Sequence, residues 1–147
     1  METLYYENGK YEGETLNGLP HGKGVRYFSN GAQYVGDFKD GLFEGNGVYY
    51  CADGSKYEGE FKNDLYNGQG VYYWADGNRY EGQFVNGNLH GKGIWYFPSG
   101  DIYVGLWENN QKNGDGTYYW ADGKEQKLQY KNDKKVGLFA KLFGRNK

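Results

Sequence analysis

The chain has 147 residues, among them 26 Gly, 17 Tyr, 8 Phe and 4 Trp, and a formal net charge of −2. Leu, Ile, Val and Phe together fall below the ~20% that raises the question of disorder, but disorder goes with a high net charge that this chain lacks. Rings that each bury ~150–250 Å² stand in for the missing aliphatics, which excludes an aliphatic helical bundle and points to β-structure built from aromatics and glycine.

The opening Met1-Glu2-Thr3-Leu4-Tyr5-Tyr6-Glu7 has neither the basic nor the apolar segment of a signal peptide. No apolar run approaches the ~18–20 residues of a membrane span. A single cysteine, Cys51, makes no internal disulfide framework and no multi-cysteine zinc site, so a cytoplasmic protein is expected. Residues 1–10 read as an N-terminal capping strand.

From Tyr11 onward the chain is periodic. Tyr11, Tyr34, Tyr57, Tyr80 and Tyr103 stand 23 residues apart, and Gly13, Gly36, Gly59, Gly82 and Gly105 keep the same step. So do Gly24, Gly47, Gly70, Gly93 and Gly116, and no insertion breaks the register. Residues 11–123 form five regular units, and 124–147 a degenerate sixth marked by Gln126, Leu128 and Phe139.

Each unit reads as two strands, Tyr57–Phe61 and Gly68–Trp74 in the third, short, rich in β-formers and bounded by Asn, Asp and Gly. Turns such as Ala75-Asp76-Gly77 put Gly where a tight hairpin needs positive φ. A type I turn with Gly as the bulge residue places Tyr72 opposite Tyr80, Trp95 opposite Tyr103, Gly70 opposite Gly82 and Gly68 opposite Phe84. One sheet face then carries Gly68, Gly70, Tyr72, Trp74, Tyr80, Gly82 and Phe84, and each strand glycine gains an aromatic ring over its bare backbone. A lone hairpin is marginal in water, so the units must stack. The expected fold is all-β: an elongated, single-layer antiparallel sheet of tandem 23-residue β-hairpin repeats, roughly 50–60 Å long at ~4.8 Å per strand, with a helical or strand cap at its C-terminus.

Tyr57-Glu58-Gly59-Glu60-Phe61 followed by Asn67-Gly68-Gln69-Gly70-Val71-Tyr72-Tyr73, repeated at 23 residues, resembles the MORN repeat (membrane occupation and recognition nexus). The resemblance implies an array of β-hairpins that scaffolds, oligomerises or binds partners, with an association with acidic phospholipids in some members. It implies no catalysis and no cofactor. The sixth copy departs from the pattern.

Individual residues add little chemistry. His21 and His90 share one repeat position with Glu44, Asn67 and Asn113, and are expected far apart, as solvated loop residues rather than catalysts or metal ligands. Cys51 falls in the column of Phe28, Trp74, Phe97 and Trp120 and reads as a small apolar residue, not a nucleophile. Gly22-Lys23-Gly24 runs into a strand rather than a helix, which defeats a phosphate-loop reading. Glu12, Glu14, Asp37, Glu58, Glu60 and Glu81 ladder along the other face with Lys23, Lys56 and Arg79 between them. They read as a solvated face that repels nucleic acid and anionic lipid.

The aromatic face has no second layer to cover it, and exposed apolar stripes usually mark interaction sites. Tyr49, Tyr72, Trp74, Trp95, Tyr118 and Trp120 are the expected contacts for a partner helix, a peptide or a second copy, against the alternative that they only pack on Gly and each other. Residues 124–147 hold eight Lys or Arg against two acids, whereas 1–123 hold nine against seventeen. That asymmetry suggests an interaction tail, with Lys134, Lys135, Phe139, Lys141, Phe143 and Arg145 as candidates. The tail is either a cap, helical or strand, or an amphipathic anchor at an acidic membrane, which would place the protein at the inner membrane face. A carbohydrate-binding array is a third reading, and an enzyme the last.

Overall fold

The computed structural model describes residues 1–136. They form one open antiparallel sheet of thirteen strands whose spatial order is their chain order. The strands are β1 (Glu2–Tyr6), β2 (Gly9–Leu16), β3 (Leu19–Phe28), β4 (Gln33–Lys39) and β5 (Leu42–Tyr50). Then come β6 (Lys56–Lys62), β7 (Leu65–Tyr73), β8 (Arg79–Val85) and β9 (Asn88–Tyr96). Last are β10 (Ile102–Glu108), β11 (Gln111–Tyr119), β12 (Glu125–Lys131) and β13 (Lys134–Lys135). At ~4.8 Å per strand this array is roughly 60 Å across. Among the described residues there is no helix, and β13 is the strand that follows the fifth full repeat and β12. Lys134 and Lys135 therefore belong to the sheet, while Phe139, Lys141, Phe143 and Arg145 lie outside the described residues.

The expected register holds. Tyr72 faces Tyr80, Gly70 faces Gly82 and Gly68 faces Phe84, and Trp95 faces Tyr103. The turn chemistry is as read: Gly77 has φ +96° and its N–H donates to Trp74 O at 3.1 Å, while Trp74 N–H donates to Asn78 O at 2.9 Å. A side chain at that φ is strained, which is why Gly recurs there.

The second strand differs from expectation. It begins at Leu65 rather than Gly68, because a two-residue turn at Asn63-Asp64 joins it directly to β6. Both turn residues have positive φ, 50° and 70°, the type I′ geometry that Asn and Asp tolerate and that matches strand twist. The register also slips between Gly59 and Phe61, and at the equivalent place in every other full repeat, so Glu60 sits in a β-bulge. That bulge revises the acidic ladder: the carboxylates of Glu14, Asp37 and Glu60 accept the backbone N–H of Lys23, Asn46 and Gln69 at 2.6, 3.0 and 2.9 Å. They are acceptors for amides that the bulge frees from the ladder.

The core is a single column system on one face. Tyr11, Tyr34, Tyr57, Tyr80 and Tyr103 are fully buried, with Phe38, Phe61, Phe84 and Trp107 nearly so. Tyr57 meets Phe61 of its own repeat at 5.0 Å and Phe84 of the next at 4.9 Å, both edge to face. Its hydroxyl donates to Glu60 O at 2.8 Å, and Tyr11, Tyr34 and Tyr80 do the same three residues on. Tyr103 breaks the rule, since its buried hydroxyl has no partner among the described residues.

Repeats are also tied along the rim of type I′ turns. Asp64 N–H donates to Phe43 O at 3.1 Å, and the Asp64 carboxylate accepts Phe43 N–H at 2.8 Å. The polar column that contains the histidines supplies another tie. His21 Nδ1, Glu44 Oε1, Asn67 Oδ1 and Asn113 Oδ1 accept the N–H of Asp40, Asn63, Asn86 and Asn132, one turn further along. His21 is thus a structural acceptor between turns rather than a free loop residue.

Candidate functional site

All six aromatics singled out from sequence project from the core face. Tyr49, Tyr72, Trp95 and Tyr118 come from equivalent positions of β5, β7, β9 and β11, and Trp74 and Trp120 from the turns that follow β7 and β11. The pleat fixes this, because residues two apart along a strand share a face and the 23-residue step repeats that face in each unit. Tyr49, Tyr72, Trp74, Trp95 and Tyr118 pack partly buried on the core, and Trp120 is 38% exposed.

The rings touch in sequence. Tyr72 and Trp74 have centroids 4.6 Å apart, Trp74 stacks on Trp95 at 4.5 Å, and Trp95 lies 6.2 Å from Phe97. Phe97 then meets Tyr118 at 5.6 Å, and Tyr118 meets Trp120 at 4.6 Å. Toward the N-terminus the row ends at Tyr66, and Tyr49, Phe43 and Phe28 form a second touching stretch, bridged to it by Phe61 of the core. Cys51 takes its column place, with Sγ 3.8 Å from Tyr72 Oη.

Polar partners hold two of the rings at fixed angles. Trp95 Nε1 donates to Asn78 Oδ1 at 2.9 Å, and Tyr118 Oη donates to Asp101 Oδ2 at 2.6 Å. Desolvation, with the Asp101 hydrogen bond second, pushes the Tyr118 phenol up to about 12, while the same bond lowers the Asp101 carboxyl. The row is therefore a preset surface rather than a set of loose side chains.

Sequence reasoning passed over Phe43 and Tyr66, which stack on Tyr34 and Tyr57 at 4.0 Å and form the wall of the row. The signal was available, because Pro20, Phe43, Tyr66, Leu89 and Lys112 are a 23-residue column like the others. It also passed over Trp107 and Lys112. With Trp95, Phe97, Asn110 and Asp133 these two enclose a hollow of ≈ 370 Å³. A larger hollow of ≈ 620 Å³ opens on the opposite face between Lys92, Val104, Leu106, Thr117, Lys127 and Gln129. It carries no ring and marks where Leu106 takes the bulge position held by the acceptors Glu14, Asp37 and Glu60 and by Gln83 in the other repeats. Among the described residues no group of three or more His, Cys, Asp or Glu is placed to hold a metal ion.

Comparison with curated proteins finds no match. Among solved structures the chain is similar to the TCP domain of SAS-4 (dCPAP) from Drosophila melanogaster, solved in complex with a proline-rich motif of Ana2 (dSTIL). The two are 15% identical with a TM-score of 0.34, over 78% of this chain and 82% of that one. The MORN repeat family matches at residues 11–33, 34–56, 57–79, 80–102 and 103–125, five consecutive units without a gap. With the hairpin array, the buried tyrosine column and the glycines beneath it described above, these matches show that the chain belongs to the MORN repeat family.

Proposed function

We propose that the chain is a non-enzymatic repeat scaffold that binds a protein partner, as a peptide or helix, along its aromatic row. The observation that carries the reading is the set of rings from Phe28 to Trp120, in two touching stretches bridged by Phe61 of the core, on a sheet face over which no described element forms a second layer. Amphipathic helices and extended peptides use such grooves, where flat, rigid side chains give contact area at little entropic cost.

Trp74→Ala combined with Trp95→Ala removes the tightest stack at the middle of the row. Central Trp residues are typical anchors worth 2 kcal/mol or more, so capture of a partner by the full chain should weaken at least ~30-fold. Trp120→Ala, at a more exposed position, guards against loss of fold. Unchanged affinity in both variants, with the sheet intact by circular dichroism, rules the groove out.

A second reading, a peripheral module for acidic phospholipids, is favoured by the basic residues that follow the acidic repeats, including exposed Lys134 and Lys135. At ~1 kcal/mol per basic residue near an anionic surface, Lys134→Glu with Lys135→Glu should cut sedimentation with anionic vesicles at least tenfold. Equal and low pelleting of both proteins would count against a membrane role.

A further inference from the structure

The fifth repeat leaves the pattern at two adjoining columns. Phe38, Phe61 and Phe84 are followed by Trp107, and Phe43, Tyr66 and Leu89 by Lys112. Where Phe43 and Tyr66 lay a ring flat on the column tyrosine, Lys112 reaches over instead. Its Nζ stands 4.9 Å from the Tyr103 ring centroid and 4.8 Å from that of Tyr130. The absent ring opens the hollow of ≈ 370 Å³ walled by Trp95, Phe97 and Trp107.

Both changes bring hydrogen-bond donors into an otherwise apolar row. Among the described residues, buried Trp107 Nε1 has no acceptor. Lys112 is half-buried and, among the described residues, has no carboxylate within ion-pairing distance. The two acceptors at the rim each take a backbone N–H. Asp133 Oδ1 takes the Lys112 backbone N–H at 2.7 Å, and Asn110 Oδ1 takes Leu89 N–H at 2.8 Å. The hollow thus sets the donors Trp107 Nε1 and Lys112 Nζ among the rings Trp95, Phe97 and Trp107, with Asn110 and Asp133 at its rim. It also lies at the basic end of an acidic array, since 124–136 carry five Lys against Glu125 and Asp133, while 1–123 carry nine bases against seventeen acids.

We propose that this hollow anchors an acidic segment of the protein partner, with one aromatic side chain seated between Trp95, Phe97 and Trp107 and a neighbouring carboxylate paired with Lys112. This deepens the groove reading and rests on it. Charge steers the acidic segment to the one basic end of the row, and desolvation by the seated ring strengthens the pair.

The test uses the full chain and three blocked pentapeptides, Glu-Glu-Phe-Glu-Glu, Lys-Lys-Phe-Lys-Lys and Glu-Glu-Ala-Glu-Glu, followed through the indole N–H resonances. The acidic phenylalanine peptide should shift the Trp107 signal, and the other two should bind at least tenfold more weakly. Lys112→Gln, which removes charge without filling the hollow, should weaken the first peptide at least tenfold. Lys112→Tyr, which restores the residue that Tyr66 places in the equivalent column, should abolish the shift while keeping the fold. Equal binding of the basic peptide, or unchanged binding by folded Lys112→Gln, overturns the proposal. A dimer that depends on Lys112 and forms without peptide also overturns it, in favour of a second copy as occupant. If partner capture is lost in Trp74→Ala/Trp95→Ala but kept in Lys112→Gln, the groove stands and this anchor falls.

Discussion

Gly70→Ala is expected to destabilise the protein by about 3 kcal/mol, at the upper end of what an overpacked core usually suffers. A Cβ built on Gly70 lies 2.5 Å from both Cε1 and Cζ of Tyr57. The ring has nowhere to go. It is stacked on Tyr66 at 4.0 Å, set edge-on to Phe61 and Phe84, and tied by its hydroxyl to Glu60 O. Gly70 is not among the residues with positive φ, so alanine suffers no backbone strain there and on entropy alone would be preferred by ~0.5–1 kcal/mol. The loss thus isolates the clash with the ring. Urea titration of the single and double variants checks it: in a Tyr57→Ala background the same substitution should cost under ~1 kcal/mol, a coupling of about 2. Simple additivity of the two changes would show that the glycine is there for some other reason. The sixth repeat loses the column tyrosine to Gln126, and with it the other strand glycine, the equivalent of Gly59, where buried Leu128 stands.

Much of this architecture is legible before any coordinates, because one 23-residue step fixes both the pleat and the pairing. The Asp-Gly turns set the register by which Tyr72 meets Tyr80 and Trp95 meets Tyr103. The six rings named for the groove share one face for the same reason. What escapes is whatever depends on local departures from period two. Asn63-Asp64 has no glycine of its own, but its column carries Asn17-Gly18, Asp40-Gly41 and Asn86-Gly87, a type I′ signal passed over in favour of the Asp-Gly turns, and with it went the early start of β7 that brings Tyr66 onto Tyr57. The bulge at Glu60 turns a surface acid into a backbone acceptor, which alternation cannot show. Lys112 is visible as an off-pattern residue, but the hollow it opens exists only once three neighbouring rings are placed around it.

The five buried tyrosines make a second large effect calculable. In an unfolded chain a phenol titrates near ~10. Desolvation raises all five in the fold, Tyr80 to about 12 and Tyr11, Tyr34, Tyr57 and Tyr103 upward as well. In four of them the neutral hydroxyl donates to a backbone carbonyl, a bond the phenolate cannot make. Folded values above the unfolded one mean stability fully present below pH ~10 and lost as pH climbs toward the folded values. Each group contributes up to ~1.4 kcal/mol per pH unit over that interval, so the five together withdraw at most about 7 kcal/mol per unit. Against a total stability of ~5–15 kcal/mol, unfolding should be complete between pH ~11 and ~12. The transition should be abrupt, with tyrosinate absorbance and loss of sheet dichroism rising together, because no column ring can ionise until the array opens. Gradual tyrosinate formation with the sheet intact would contradict a sealed column. Tyr103→Phe is the discriminating variant. Its hydroxyl has no partner among the described residues, so neutral-pH stability should hold, while removal of one of the five groups moves the alkaline midpoint up by a few tenths of a pH unit.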